Sequence, residues 1–168
     1  MNKKHLKQRA YLAGFVDGEG CITIVRSAGQ ARCKIGYSIR VDVGQKDGKL
    51  MDLLYGLYNG HVCQELKDGK FAHYRWTVYG KSAYKILHDI EPFLIIKREQ
   101  ARLAMEFFDR SLKRREDSGR YSLTPEVIER NDSDWSKIRK LHKIYSQSHA
   151  AAETKFFSAP KSEAIVHP

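Results

Sequence analysis

Apolar and polar positions repeat with two different periods along this chain, and the places where one period gives way to the other outline its elements. Residues 7 to 17 predict a first helix. Gln8 and Arg9 mark its polar start, after which Tyr11, Leu12, Ala13, Gly14, Phe15 and Val16 make it apolar on every face, the pattern of a helix buried on all sides. Cys21 to Val25 is dense in β-branched residues and predicts a strand, with a turn over 27 to 31. From 32 to 44 the chain alternates. Cys33, Ile35, Tyr37, Ile39, Val41 and Val43 share one face, and Arg32, Lys34, Gly36, Ser38, Arg40, Asp42 and Gly44 share the other. Period two with one polar face is an antiparallel strand buried on a single side, its polar side expected in solvent or against a polar partner.

Lys46-Asp47-Gly48-Lys49 ends that strand, and Leu50, Leu53, Leu54 and Leu57 resume helical spacing up to Asn59-Gly60. Two strands are predicted over 61 to 67 and 71 to 79, joined by the hairpin dipeptide Asp68-Gly69. Ser82 to Asp89 reads as a short helix, and Pro92 as the start of a long one to about Arg114. Thr124-Pro125-Glu126 combines a cap with proline at the first helical position. The order is α-β-β-α-β-β-α with additional C-terminal helices, an α+β class. One domain over 1–148 and a flexible tail over 149–168 are expected, because periodicity fades there and Pro160 and Pro168 intervene.

The 168 residues suffice for one domain with a real core. A net charge of +10 points to a polyanion, nucleic acid before an anionic membrane surface. The chain shows no transmembrane run, signal peptide or long basic amphipathic helix, so no membrane partner is expected. Three cysteines, Cys21, Cys33 and Cys63, are widely spaced and form no CxxC pair, which supports neither a disulfide framework nor a zinc knuckle. A reducing, intracellular location is the expectation.

The most informative stretch is Leu12-Ala13-Gly14-Phe15-Val16-Asp17-Gly18-Glu19-Gly20. Two carboxylates end an apolar helix where the last carbonyls already carry partial negative charge, so a positive partner should lie close by, and a divalent metal would serve. The plainer alternative is a glycine-terminated buried helix with a solvated acid. Ala10, Ala13, Gly14 and Gly18 would let a second backbone approach closely.

This nonapeptide, followed at once by a strand, resembles the motif of the LAGLIDADG homing endonucleases. Leu12, Ala13, Gly14, Asp17 and Gly20 are identical to it, Phe15 and Val16 are conservative exchanges, and Gly18 and Glu19 are accepted variants. The likeness extends over roughly residues 7 to 110 and includes the element order. It implies the endonuclease fold with an antiparallel DNA-binding sheet, and hydrolysis of double-stranded DNA at a long, near-palindromic site to leave 3′ overhangs. The divalent metal would be Mg²⁺, with Mn²⁺ or Ca²⁺ as substitutes for binding. A single motif implies a homodimer joined along the motif helices, with Ala10, Leu12, Ala13, Gly14 and Asp17 at the interface. The resemblance makes Glu19 and the Gly18 carbonyl metal ligands, Asp17 mainly structural, and Gln45, Lys97 and Lys49 the polar companions of the scissile phosphate. The sheet would read base edges in the major groove through Thr23, Ser27, Lys34, Ser38, Arg40, Asp42, His73, Arg75 and Thr77, with Arg40 and Arg75 suited to guanine.

Three alternatives stand beside this reading. Glu65-Leu66-Lys67 fits half of a restriction-type nuclease site, a short pattern that arises readily by chance. An intron-splicing maturase or a non-cleaving DNA-binding regulator on the same scaffold would keep the fold, though Glu19, Gln45 and Lys97 are all present. A purely structural interaction protein leaves the charge unexplained.

Overall fold

The computed structural model describes residues 3–28, 35–118 and 123–157. The elements are α1 (Lys3–Glu19), β1 (Gly20–Ala28), β2 (Ile35–Gln45), α2 (Gly48–Tyr58), β3 (His61–Lys67), β4 (Lys70–Tyr79), α3 (Gly80–Ile90), a single 3₁₀ turn (Glu91–Phe93), α4 (Arg98–Ser118) and α5 (Pro125–Phe157). Their order is the one the periodicity predicts.

The strands form one antiparallel sheet in the order β1-β2-β4-β3. Ile22, Ile24, Ile39, Val41, Val43, Trp76 and Val78 project from one face and are buried against the helices. Leu12 and Val16 of α1, Met51 and Leu54 of α2, Ile86, Leu87 and Ile90 of α3, and Ala101, Ala104 and Phe107 of α4 meet them. Burial of each large aliphatic side chain contributes about 1.5–3 kcal/mol, so this layer holds the sheet rigid. The opposite face carries the alternate residues of every strand.

Turn chemistry sets the hairpin and the junctions. Asp68 and Gly69 both have positive φ, 53° and 74°, the geometry of a type I′ turn between β3 and β4. Gly60, at φ 110°, lets the chain pass under Trp76, whose indole Nε1 donates to the Asn59 carbonyl at 2.8 Å. Tyr58, Asp89 and Arg9 tie three helices together: the Tyr58 hydroxyl donates to Asp89 at 3.1 Å, and Arg9 pairs with the same carboxylate at 2.7 Å.

Helix α5 docks along the edge strand β1. The Tyr37 hydroxyl donates to Asp132 at 2.7 Å, Arg26 pairs with the same carboxylate at 3.0 Å, and a His142 ring nitrogen bonds the Ile22 carbonyl at 2.8 Å. A carbonyl can only accept, so that nitrogen carries the proton. Ile138 is wholly buried, and Arg110 pairs with Asp134 between α4 and α5.

The structure corrects several expectations. α1 is not buried on all sides: Tyr11 is 58% exposed and Ala10, Gly14 and Gly18 are also exposed, while Leu12, Ala13 and Val16 face the core. The long helix starts at Arg98 rather than at Pro92, because Pro92 sits in the 3₁₀ turn and the next backbone N–H groups bond elsewhere. Helix α5 spans position 148 and continues to Phe157. Among the described residues no helix is long and apolar enough to cross a membrane. Lys34, Arg32 and Cys33 lie outside the described residues, as does most of the turn expected over 27 to 31.

Candidate nucleic-acid interface and active site

The junction from α1 to β1 is a helix that becomes a strand without a loop. Glu19 is the last helical residue and Gly20 the first of the strand. A Cβ on Gly20 would lie 2.7 Å from the Val16 carbonyl oxygen and 2.9 Å from its Cα, so only glycine fits this close approach.

Asp17 and Lys97 lock that junction. The buried Asp17 carboxylate accepts from the backbone N–H groups of Ile95 (2.7 Å), Ile96 (3.2 Å) and Lys97 (2.9 Å), the segment leading into α4. In return the Lys97 ammonium donates to the carbonyls of Val16 (2.9 Å) and Asp17 at the C-terminal end of α1. The positive partner demanded by two acids at a helix C-terminus is therefore supplied partly by a lysine of the same chain. Burial lowers the pKa of Lys97, opposed first by Asp17 and then by Cys21 and Glu19.

Glu19 stays exposed and opens into a cleft of about 510 Å³. Its lining combines Glu19 and Cys21 with Arg40, Asp42, Gly44 and Gln45 of β2, Lys46 beyond it, and Ala72, His73 and Arg75 of β4. Cross-strand register explains the grouping. Cys21 lies opposite Asp42, Asp42 opposite Thr77, and Gly44 opposite Arg75, all on the face turned away from the helices.

The polar groups on this face bond one another. Thr77 Oγ1 donates to Asp42 Oδ1 at 2.7 Å, and Arg40 Nε lies 2.7 Å from Asp42 Oδ2. That second contact lacks the N–H alignment of a hydrogen bond and is held by charge. On the neighbouring hairpin, Arg75 Nη2 donates to Glu65 Oε2 at 3.0 Å, Nε lies 2.8 Å from Oε1, and His73 is 3.7 Å from the same carboxylate. Thr23, Ser38 and Ser27 lie on the same face, their hydroxyls donating to the carbonyls of Ile24, Ile39 and Gly36.

Of the residues singled out in the sequence, Glu19, Gln45, Arg40, Asp42, His73 and Arg75 line the one cleft. Lys97 reaches the end of α1. Lys49 does not line the cleft: it is exposed on the first turn of α2, where its N–H bonds the Asp47 cap at 2.9 Å. Leu12 and Ala13, expected at a subunit interface, are core residues of the chain itself. Asp17 is likewise taken up inside the chain, capping the approach to α4 rather than facing outward. Lys46 and Cys21 were missed. Lys46 directly follows Gln45, and Cys21 alternates onto the open face, but neither carries a motif. The Cys21 thiol is pushed up, first by burial and then by the neighbouring Asp42 carboxylate. Glu65 is taken up by Arg75 and His73, which disfavours the restriction-type pattern around it.

Among the described residues no three or more His, Cys, Asp or Glu side chains converge as a metal cage. Glu19 and the Gly18 carbonyl offer hard oxygen donors of the kind Mg²⁺ prefers, yet too few for one chain to hold the ion alone.

A model of the LAGLIDADG endonuclease family matches residues 12–98. A search of curated proteins gave no match. Among solved structures, the homing endonuclease I-CvuI in complex with the I-CreI target is similar with a TM-score of 0.68 and 24% identity, over 83% of this chain and 85% of that one. I-CvuI with its own target in the presence of Ca gives 0.65 and 25%, with the same coverage. The archaeal intron-encoded homing endonuclease I-Vdi141I, complexed with DNA, shares the fold at 0.64 and 12% identity, over 96% of this chain and 89% of that one. With the family model matching just over half of its length, the chain belongs to the LAGLIDADG endonuclease family.

Proposed function

We propose that this protein is a homodimeric, divalent-metal-dependent endonuclease that cuts double-stranded DNA at a specific, near-palindromic site and leaves 3′ overhangs. The observation that carries the reading is the position of Glu19. It is exposed at the end of α1, in the cleft shared with the polar open face of the sheet.

The outward stripe of α1 supports a second copy. Ala10, Gly14 and Gly18 are exposed, and a Cβ on Gly14 or Gly18 would meet nothing within 4 Å in the chain. Two helices paired along such a stripe approach closely and bring two Glu19 carboxylates and two Gly18 carbonyls together. That doubles a donor set that is incomplete in one chain, and twofold symmetry then requires a near-palindromic target.

Glu19 and the Gly18 carbonyl of both copies would hold a divalent cation, Mg²⁺ by the donor chemistry, which would offset the charge that develops on the phosphate during attack by water. The chain's own residues supply the rest. Lys97 holds the α1 terminus, and with it the direction of Glu19. Gln45 and Lys46 line the cleft where they can hydrogen-bond a water or a phosphate oxygen. Arg40, His73 and Arg75 on the open face contact the duplex, and Thr23, Ser27 and Ser38 extend that surface along β1 and β2.

Glu19→Gln tests the reading. The variant should bind the duplex selected by the wild type with similar affinity and fail to cut it in Mg²⁺. Cleavage at the wild-type rate would overturn the assignment, and a DNA-bound monomer in light scattering would overturn the dimer.

A further inference from the structure

Asp42 and Thr77 sit on the face proposed to read bases, yet neither is arranged to touch one. Asp42 is only 7% exposed, and both of its oxygens are engaged within the chain: Oδ1 by the Thr77 hydroxyl at 2.7 Å, Oδ2 by Arg40 Nε at 2.7 Å. A carboxylate reading cytosine would need an oxygen presented to the groove. This one is turned into the sheet, between β2 and β4, where register places Asp42 and Thr77 directly opposite each other.

What the pair does present is Arg40. Its Nε is buried against Asp42, and among the described residues its two terminal nitrogens make no hydrogen bond. Those nitrogens form the edge of the guanidinium that matches the N7 and O6 acceptors of guanine. A long, flexible side chain gains selectivity when its stem is fixed before binding, because the entropy of ordering is then not lost on the DNA. Arg75 offers a contrast. Its Nε and one terminal nitrogen are both taken by Glu65, in a pair 40% and 36% exposed that water and salt can open, so less of its reading edge is presented to DNA.

We infer that Asp42, itself held by Thr77, is a specificity-determining positioning residue: it fixes Arg40 to read one guanine in each half-site and makes no contact with DNA. The inference rests on the proposed DNA-binding reading of the open face. The Glu65–Arg75 pair, by contrast, tunes affinity without choosing a base.

The test is a binding selection with the full chain and a randomised duplex library, followed by comparison of base preferences position by position. Wild type should prefer guanine at one symmetry-related pair of positions that Arg40→Ala erases, a change of about tenfold or more in relative affinity. Asp42→Asn and Thr77→Val should relax preference at those same positions and at no others, and Thr77→Ser should retain it. Glu65→Gln should leave every base preference in place and tighten binding to all duplexes. Thermal unfolding of each variant checks that the fold is kept, and Thr77→Val serves should Asp42→Asn unfold. A guanine preference that survives Arg40→Ala or Thr77→Val overturns the inference. So does relaxation of the same positions by Glu65→Gln, since any loss of charge on the open face would then suffice. A wild-type protein that selects no sequence overturns the proposed function as well, and so separates the two failures.

Discussion

Asp17 and Lys97 face each other across the junction of α1 and α4, and each answers the other's helix. The Asp17 carboxylate takes the three N–H groups before α4, where the developing helix dipole is positive. The Lys97 ammonium takes two carbonyls at the end of α1, where the dipole is negative. The clamp makes the position of Glu19, two residues after Asp17, a consequence of α4 as much as of its own helix.

Removing one side of this clamp leaves buried partners unsatisfied. Asp17→Ala should lower the unfolding free energy by roughly 1–3 kcal/mol or more, the range for orphaned buried groups that had a charged acceptor. Urea denaturation measures it. A change within error would mean that water replaces the carboxylate.

In the proposed dimer, Gly14 would separate folding from association. A methyl there meets nothing in the chain, and alanine is about 1 kcal/mol better than glycine within a helix. Gly14→Ala should therefore hold or raise the stability of the protomer fold. Gly14→Leu should keep the fold by circular dichroism yet shift sedimentation toward monomer and weaken cleavage. A fully dimeric Gly14→Leu protein would place the subunit contact elsewhere.

Gly60 is required for the opposite reason. At φ 110° an added Cβ would lie 2.5 Å from a Val78 methyl, 2.8 Å from the Thr77 carbonyl oxygen and 2.9 Å from Trp76 Nε1. Gly60→Ala should cost about 1–3 kcal/mol from backbone strain, with steric displacement of the Trp76 contact in addition. Denaturant midpoints, read alongside tryptophan fluorescence, report both.

Tyr58 predicts an alkaline dependence. Burial, followed by the charge of Asp89 and the hydrogen bond to it, raises its pKa well above the usual value of about 10. The folded state then holds a proton that the unfolded chain releases. The stabilisation is fully present below the unfolded pKa and falls as pH rises through and beyond about 10. Between near-neutral pH and pH above this value, wild type should lose more stability than Tyr58→Phe in matched urea titrations. Equal losses would show that this hydroxyl does not govern the alkaline limb.

The elements were legible because their signals are local. The strict alternation of β2, the Asp68-Gly69 turn and the Thr124-Pro125 start each depend on neighbours within a few residues. The start of α4 was misplaced at Pro92 for the converse reason. The N–H groups of the three residues before it are captured by Asp17, about 80 residues earlier, and no local pattern encodes a distant acceptor. The apolar run of α1 misled in a similar way. It reads as buried on every side, but glycine and alanine count as apolar whether they fill a core or leave room for another surface.

By itself the sequence determined the family motif, the element order and the basic charge, and singled out Glu19 within the motif. Each is carried by residue identity and short-range spacing. Only the tertiary structure decided that Asp17 turns inward as a cap, that Lys97 meets the carbonyls of α1, and that Asp42 serves Arg40 from within the sheet. Those roles depend on which polar atoms fall within about 3 Å of one another, the reach of a hydrogen bond. That proximity is created by strand register and helix docking across the whole chain.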